Sequence, residues 1–340
     1  MGATSGRHEV VPAEKLALGI EIGATKCQAA VGNADGRLLE TMRLKVDLEK
    51  GAPGILAWLE ECVAALLAAH SETRLQVAAI VAGFGGIVES ATGRVLTSVQ
   101  VSGWQDFPLK AWFEKRFALP CVVMNDTVTA GYGEHSLGSG RGSKYFFYTN
   151  IGSGIGGALM IDGKSYDGQG YGAAYFGHTF LPDWTANAPG GRRKVEDLCS
   201  GWAIERRLRT ADYVPAQSGL MRLCQGKIGD LTCAMLGQAA KEGDAFALQE
   251  IDRVAWSLGT GLSNVVTLFS PDCVSIGGGV SNLGDVLLEP VRRVVDESVF
   301  LSARRRYRIV QSVFGDEVVL VGAVVYGARG LAWCGGAHHE

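Results

Sequence analysis

Three short glycine-rich stretches in this sequence each follow a run of apolar residues. They are Gly19–Lys26, Gly152–Gly157 and Gly277–Gly279. A glycine turn lets backbone N–H groups approach an anion closely, because no side chain is in the way. These turns therefore favour phosphate binding. A plain tight turn is the alternative for any one of them, since short glycine motifs are frequent by chance, but three such turns after strands are hard to explain by packing.

The turns also contain side chains that suit a nucleotide. The first two offer hydroxyl groups and one positive charge, and the third presents a flat surface without side chains on which a nucleotide could lie. The candidate phosphate and nucleotide contacts are Gly23, Thr25, Lys26, Gly152, Ser153, Gly154, Gly277, Gly278 and Gly279.

A polar pair, Asn125 and Asp126, comes directly after the apolar run Cys121–Met124. Such a run is typical of a buried parallel strand, and ligands bind at the carboxyl ends of strands in open α/β sheets. A carboxylate there can accept the proton of an attacking hydroxyl, and the neighbouring amide can hold that hydroxyl in place. The alternative is that Asp126 caps a helix beginning near Thr127, since Asp is a preferred cap residue.

Two further polar residues, His178 and Glu196, leave their roles open when each is taken alone. A single histidine is more often a satisfied polar residue than a ligand contact. Glu196 is also compatible with a solvated charge at the start of a helix, where the helix dipole favours an anion.

The elements that must position these residues occur in a similar order twice. The first series is a strand from Leu16, the first glycine turn, a returning strand (27–31), a helix (55–67), a strand (76–81), a helix (109–117) and a strand (121–124). The second is a strand (145–151), the second turn, a returning strand (158–161), helices and a late strand (273–276). Two related α/β halves would place the turns on opposite sides of a cleft, which suits a triphosphate.

Length and composition exclude several other classes of protein. A chain of 340 residues is long enough for two domains. With 47% hydrophobic and 20% charged residues and a net charge of -3, it resembles neither a disordered chain nor a nucleic-acid binder. The first residues contain no apolar segment of signal-peptide length, and we expect no stretch to approach the roughly 20 apolar residues of a membrane helix. We therefore expect a cytoplasmic enzyme or regulator without a nucleic-acid or membrane partner.

The eight cysteines are scattered, and none stands in a C-x-C or C-x-x-C pair. We expect them to be reduced and to behave as small buried hydrophobic residues.

Taken in order, these segments resemble the ROK family of sugar kinases and repressors, within the actin-like ATPase superfamily. The resemblance extends from about Leu18 to Gly327 and includes the three turns, Gly83–Ile87, Asn125–Glu134, Gly177–His178, and Glu196 with Ser200 and Gly201. It implies an α/β, two-lobed actin-like ATPase (ribonuclease H-like) fold with the active site between the lobes. The smaller lobe would comprise residues 16–126 plus a C-terminal helix of about 322–340, and the larger lobe residues 127–321.

By this resemblance the protein is expected to be a homodimeric, ATP- and Mg²⁺-dependent sugar kinase, similar to glucokinases or fructokinases. Asp126 would be the catalytic base. The expected sugar contacts are Gly86, Asn125, Tyr175, His178 and Glu196. The expected contacts of ATP and magnesium are the turn residues given above together with Glu21, which stands where the family usually has Asp and keeps the carboxylate that faces the metal.

Two other positions depart from the family pattern. The loop after His178 has no cysteine, so no structural zinc site is expected. Tyr175 replaces a sugar-contacting Glu, which leaves the identity of the sugar open. A catalytically silent sugar-binding protein and a ROK-type regulator are the alternatives. The regulator is disfavoured because only about 15 residues precede the first strand, too few for a helix-turn-helix module.

Overall fold

A five-stranded sheet is built from the first part of the chain in the computed structural model, which describes residues 15–71, 76–98, 100–185 and 190–330. The strands are β1 (Leu16–Ile22), β2 (Lys26–Asn33), β3 (Leu38–Lys45), β4 (Val77–Phe84), β5 (Ile87–Glu89), β6 (Arg94–Thr97) and β7 (Cys121–Asn125). The sheet has the order β3-β2-β1-β4-β7, and β5 and β6 form a separate hairpin. β1, β2 and β3 are antiparallel, whereas β4 and β7 run parallel to β1.

A second sheet repeats this arrangement in the later part of the chain. Its strands and those of a small hairpin are β8 (Tyr145–Ile151), β9 (Ile155–Ile161), β10 (Lys164–Ser165), β11 (Phe180–Pro182), β12 (Arg192–Lys194), β13 (Cys273–Gly277) and β14 (Arg308–Gln311). The order is β10-β9-β8-β13-β14, with three antiparallel strands followed by two parallel ones, and β11 pairs with β12 alone. The prediction of two related α/β halves is confirmed.

Ten α-helices cover these sheets in the described part of the chain. They are α1 (Gly51–Ala69), α2 (Leu109–Phe117), α3 (Asp126–Ser136), α4 (Val195–Cys199), α5 (Gly201–Leu208), α6 (Gly219–Leu223), α7 (Cys233–Lys241), α8 (Ala245–Phe269), α9 (Asp285–Ser298) and α10 (Val318–Ala328). The core of the first half includes residues of β1, β2, β4 and α1, and the core of the second half includes residues of β8, β9, α8 and α9. The seven described cysteines are free, and six of them are buried; Cys334 lies outside the described residues.

Helix α1 corrects the expectation that no segment resembles a membrane span. Its 19 residues are long and apolar enough to cross a membrane by length and composition, with a mean hydropathy of 1.5. One face of the helix is buried, however, and Ile55, Leu59, Val63 and Leu66 join the core of the first half. A core helix passes the same test, and its packing assigns α1 to the core of the first sheet.

Helix α10 is apolar along its whole length and is buried between β1 and β4 on one side and α3 on the other. The contact with α3 requires glycine. A β-carbon on Gly322 would collide with the backbone oxygen of Thr129, and one on Gly133 would lie 2.9 Å from the Gly322 nitrogen. The helix begins earlier than predicted, and residues 331–340 of the expected segment lie outside the described residues. The lobe boundaries of 16–126 with 322–340, and 127–321, stay a prediction.

Replacing Gly322 with alanine should destabilise the protein, because the added methyl group overpacks the contact between α10 and α3. Overpacking of a close contact costs about 1–3 kcal/mol. The measurement is the midpoint of urea unfolding. Gly229→Ala is the matched control, since a β-carbon there meets no atom within 4 Å, and it should change stability by less than about 0.5 kcal/mol. Equal midpoints for both variants would contradict the packing described here.

Candidate functional site

The first glycine turn joins β1 to β2, as the sequence predicts. It is closed by the Gly23 N–H, which donates to the Lys26 carbonyl oxygen at 3.1 Å. Thr25 lies exposed in the turn, and its carbonyl oxygen accepts a hydrogen bond from the Val46 N–H at 3.0 Å. The turn is thereby held on both sides, with the Thr25 side chain directed to solvent.

Glu21 lies just before this turn, and its side chain is only 12% exposed. Burial raises the pKa of the Glu21 carboxyl to about 7, although Lys26 and the Gln28 side-chain amide oppose that rise. The Lys26 ammonium is 3.7 Å from the Glu21 carboxylate and also donates to the Asp316 carbonyl oxygen at 3.1 Å. Gln28 donates to the same oxygen at 2.8 Å. The polar side of the hairpin is therefore tied to the segment that precedes α10.

The pair Asn125–Asp126 stands where β7 ends and α3 begins. Asn125, not Asp126, is the cap of α3, because its Oδ1 accepts from the backbone N–H of Thr127 at 2.9 Å and of Val128 at 3.3 Å. Its side-chain amide donates to the Gly86 carbonyl oxygen at 3.1 Å. The alternative in which Asp126 is the cap is thus wrong: Asp126 is the first helical residue. Its Oδ1 accepts from the Thr127 N–H at 2.7 Å and from the Thr127 hydroxyl at 3.3 Å, which leaves Oδ2 for another role.

Asp126 is half-buried beside the end of β1. Burial raises the pKa of its carboxyl to about 6, and hydrogen bonds from Thr127 oppose the rise. A β-carbon on Gly85 would lie 3.3 Å from the Asp126 Oδ2 and 3.3 Å from the Ile22 carbonyl oxygen. Glycine at position 85 therefore keeps space open next to the carboxylate. Only the neighbouring Gly86 is predicted from the sequence. The signal for Gly85 is its place in a glycine pair directly after β4.

The second glycine turn joins β8 to β9 and contacts Glu196 and Thr127, the residue after Asp126. The Glu196 Oε2 accepts from the Ile155 N–H at 2.7 Å, and the Gly201 N–H donates to the Gly152 carbonyl oxygen at 2.8 Å. Gly156 faces the Thr127 side chain so closely that no β-carbon would fit. The turn predicted to hold phosphate, the predicted base and the predicted sugar-binding glutamate are therefore brought together.

Tyr175 and His178 lie next to each other in the short helical turn that precedes β11. Their rings are edge to face, with centroids 6.4 Å apart. The Tyr175 hydroxyl donates to the Tyr171 carbonyl oxygen at 2.9 Å. Burial raises the pKa of Tyr175, and the negative charges of Asp167 and Asp126 raise it further, so this side chain lies within electrostatic reach of Asp126. His178 is exposed, and its Nδ1 is 3.1 Å from the Lys194 ammonium.

The third glycine turn, Gly277–Gly279, follows β13, which is paired with β8. Gly278 has a φ of +84°, a conformation that favours glycine. Gly279 borders a groove of about 480 Å³, a volume within the range of small-molecule sites. The groove is lined by Cys233, Ala234, Gly237, Gln238, Lys241, Glu242, Gly279, Asn282 and Leu283. The sequence analysis identified the turn but not the α7 residues that complete the groove.

The carboxylate beside the first turn is better suited to a magnesium ion than to a metal held by protein side chains alone. No group of three or more His, Cys, Asp or Glu side chains that could hold a metal occurs among the described residues. Mg²⁺ usually keeps several waters and is bound by one or two carboxylates together with substrate phosphates. Glu21 is suited to this role. The expected lack of a structural zinc site after His178 stays a prediction.

Comparisons with known proteins found one family model and a set of relatives. The model of the ROK family matches residues 17–328. A glucokinase of Halalkalibacterium halodurans is 30% identical over 278 residues, covering 81% of this chain and 84% of that protein. A xylose repressor of Caldicellulosiruptor bescii is 26% identical over 321 residues, covering 90% of this chain and 76% of that protein.

A solved structure also resembles the whole molecule. The crystal structure of a ROK family glucokinase from Streptomyces griseus in complex with glucose and AMPPNP has a TM-score of 0.77 and 29% identity, and the match covers 93% of this chain and 100% of that chain. The predicted two-lobed, actin-like α/β fold is thereby confirmed.

The raised pKa of Asp126 predicts how an Asn substitution changes stability with pH. The folded-state pKa of about 6 lies above the ordinary pKa of an aspartic acid, so ionisation of Asp126 costs folding free energy, and the cost is fully present above pH 6. It amounts to at most about 3 kcal/mol. Asp126→Asn should therefore raise the Tm at pH 8, and the gain should shrink at pH 5. Asp197→Asn, on an exposed carboxylate of α4, should show no such pH-dependent gain. If Asp126→Asn has a lower Tm than the wild type at pH 8, ionisation of Asp126 does not cost folding free energy as described.

Proposed function

Because this chain belongs to the ROK family, we propose that it is an ATP-dependent kinase that phosphorylates a hydroxyl of a hexose or hexose-like sugar. The observation that carries the proposal is the position of Asp126. Its carboxylate borders the open space at Gly85, and its neighbour Thr127 contacts Gly156 of the second turn. A sugar hydroxyl in that space would lie beside a base and between two phosphate-binding turns.

The proposed reaction is a direct transfer of the γ-phosphoryl group of ATP. Asp126 accepts the proton of the sugar hydroxyl as the oxygen bonds to the γ-phosphorus. The bond between that phosphorus and the bridging oxygen breaks, and ADP leaves with the electron pair. A base with a pKa of about 6 is ionised at neutral pH yet basic enough to take the proton.

The two turns are proposed to bind the phosphates of ATP. Thr25, Lys26 and Ser153 supply side chains, and the glycines allow backbone N–H groups to approach the phosphate oxygens. Glu21 would hold Mg²⁺ through water, and that ion would neutralise charge on the phosphates. The groove beside Gly279 provides space for the adenosine.

The sugar is proposed to lie among Gly86, Asn125, Tyr175, His178 and Glu196. Asn125 already uses its amide oxygen as the helix cap and one N–H on Gly86, so it has one side-chain N–H left for a hydroxyl. Glu196 has its Oε2 bound by the Ile155 N–H. We further propose that the enzyme acts as a cytoplasmic homodimer.

A sugar-binding regulator or a silent sugar-binding protein is the second candidate, since a xylose repressor is among the relatives. The position of Asp126 beside the glycine turns proposed to bind phosphate favours the kinase. Sugar-stimulated release of ADP, measured over a panel of hexoses, amino sugars and cyclitols, separates these functions. A regulator would bind a sugar without releasing ADP.

Asp126→Asn should abolish phosphorylation while leaving ATP binding intact, because the amide keeps the shape but cannot accept the proton. Loss of a general base typically lowers kcat by about 10²–10⁴-fold. Coupled ADP release gives the rate, and titration calorimetry gives nucleotide affinity. Asp197→Asn controls for the removal of one negative charge nearby. A variant at position 126 that kept more than a tenth of the wild-type rate would show that another group is the base.

Tyr175 should select against glucose as the preferred substrate. A carboxylate can accept hydrogen bonds from two neighbouring hydroxyls, whereas tyrosine offers a ring and one hydroxyl, which here is bonded to the Tyr171 carbonyl oxygen. In a panel of sugars, wild-type kcat/KM for glucose should be below that of another sugar or cyclitol. Tyr175→Glu should raise the value for glucose about tenfold.

Tyr166→Phe is the control for this experiment, because Tyr166 is an exposed tyrosine of the same segment. Tyr175→Phe tests the hydroxyl alone. Efficient turnover of glucose by the wild type, with no change in Tyr175→Phe and Tyr175→Glu, would mean that this residue does not select the substrate.

A further inference from the structure

A cluster of charged and aromatic side chains joins the segment after β11 to α5 and α8. We refer to it as the Arg207 cluster; its members are Trp184, Arg207, Tyr213, Glu250, Arg253 and Ser257. None of these residues belongs to the proposed reaction. The cluster is assembled from α5, α8, the segment between α5 and α6, and the turn of the hairpin.

The centre of the cluster is the fully buried carboxylate of Glu250. The Arg207 Nε and Nη2 lie 2.9 and 2.8 Å from its Oε1, and the Tyr213 hydroxyl donates to its Oε2 at 2.7 Å. The Arg253 guanidinium is 3.6 Å from Oε2. A buried ion pair is weak evidence for stability, because desolvation offsets much of the attraction. The connections made by the cluster indicate a different role.

Trp184 connects the hairpin to this centre. Its indole N–H donates to the Ser257 hydroxyl at 2.8 Å, and the guanidinium carbons of Arg207 and Arg253 lie 5.0 and 5.7 Å from the ring centroid. Cation–π contacts and a side-chain hydrogen bond thus hold Trp184, two residues after the end of β11, on α5 and α8.

Arg207 connects the same centre to helix α4. Its Nη1 donates to the Leu198 carbonyl oxygen at 2.7 Å, two residues after Glu196 on that short helix. On the other side of the helix, Glu196 accepts from the Ile155 N–H of the second turn. A continuous series of contacts therefore runs from Glu250 through Arg207 and α4 to the proposed phosphate turn.

We propose that Arg207, Trp184 and Glu250 are positioning residues for the sugar site. His178 lies two residues before β11 and Glu196 two residues after β12, so anchoring Trp184 and α4 fixes both candidate sugar contacts. This inference rests on the proposed function for the roles of His178 and Glu196. The anchoring itself is a property of the fold and can be measured separately.

Arg207→Lys should raise KM for the sugar about tenfold or more, because lysine keeps the charge but cannot bond Glu250 and Leu198 at once. KM for ATP should change less than KM for the sugar, because the groove proposed for the adenosine does not include the cluster and the β1–β2 turn, which also binds the phosphates in the proposal, is not connected to it. Trp184→Phe keeps a smaller aromatic face for the two guanidinium groups and loses the bond to Ser257, so it should raise the sugar KM less than Trp184→Ala, which should resemble Arg207→Lys. Arg293→Lys is the matched control: it alters an exposed pair with Asp252 of α8 and should leave both constants unchanged.

Hydrogen exchange of the Ile155 amide, in protein without ligands, gives a readout that does not depend on catalysis. Arg207→Lys should speed this exchange about tenfold, while amides of the β1–β2 hairpin keep their wild-type rates. A lowered Tm with unchanged sugar KM and unchanged Ile155 exchange would overturn the proposal and leave the cluster a purely structural role. If the wild type phosphorylates no sugar, the proposed function fails, and the exchange result still decides whether the cluster positions α4.

Discussion

The desolvated carboxylate of Asp126 is the constraint on which the rest of the site depends. Burial raises the pKa of this carboxyl. Hydrogen bonds from Thr127, rather than a paired cation, oppose the rise. The surrounding backbone must therefore come close without placing side chains in the space beside it. Gly85 from the first half and Gly156 from the second meet this requirement on either side of the Asp126–Thr127 pair.

The two halves are held in register by contacts that are distant from the turns themselves. Glu134 of α3 is fully buried, and its carboxylate accepts hydrogen bonds from Ser139, Ser312, Val313 and Phe314. It thereby fixes the segment that leads to Asp316, whose carbonyl oxygen receives the side chains of Lys26 and Gln28. Together with the close contact of α10 and α3, this network sets the position of the first turn relative to the second sheet.

Sequence reasoning located the elements with strong local signals. Helix α2 has the bounds 109–117 that its pattern indicated, and the glycine turns after β1, β8 and β13 lie where predicted. Strand β3 was missed because its residues are mostly exposed or half-buried and form no apolar run. Local sequence preference predicts the start of a helix only to within one or two residues, so it does not decide whether Asn125 or Asp126 is the cap of α3. The roles of Gly85 and Gln28 depend on contacts between distant segments, which no local pattern reveals.

The segment after His178 contains no cysteine, so its strands β11 and β12 must be positioned by other contacts. Its own strands pair over only three residues each, too few to fix its orientation without tertiary contacts. The buried charges of Arg207 and Glu250 add little net stability, since desolvation offsets their attraction. They do fix an orientation, because the planar guanidinium of Arg207 contacts Glu250, Leu198 and the face of Trp184 in a single arrangement. Recognition of a sugar by a few hydrogen bonds requires such fixed geometry more than it requires additional stability, and a buried polar cluster supplies it.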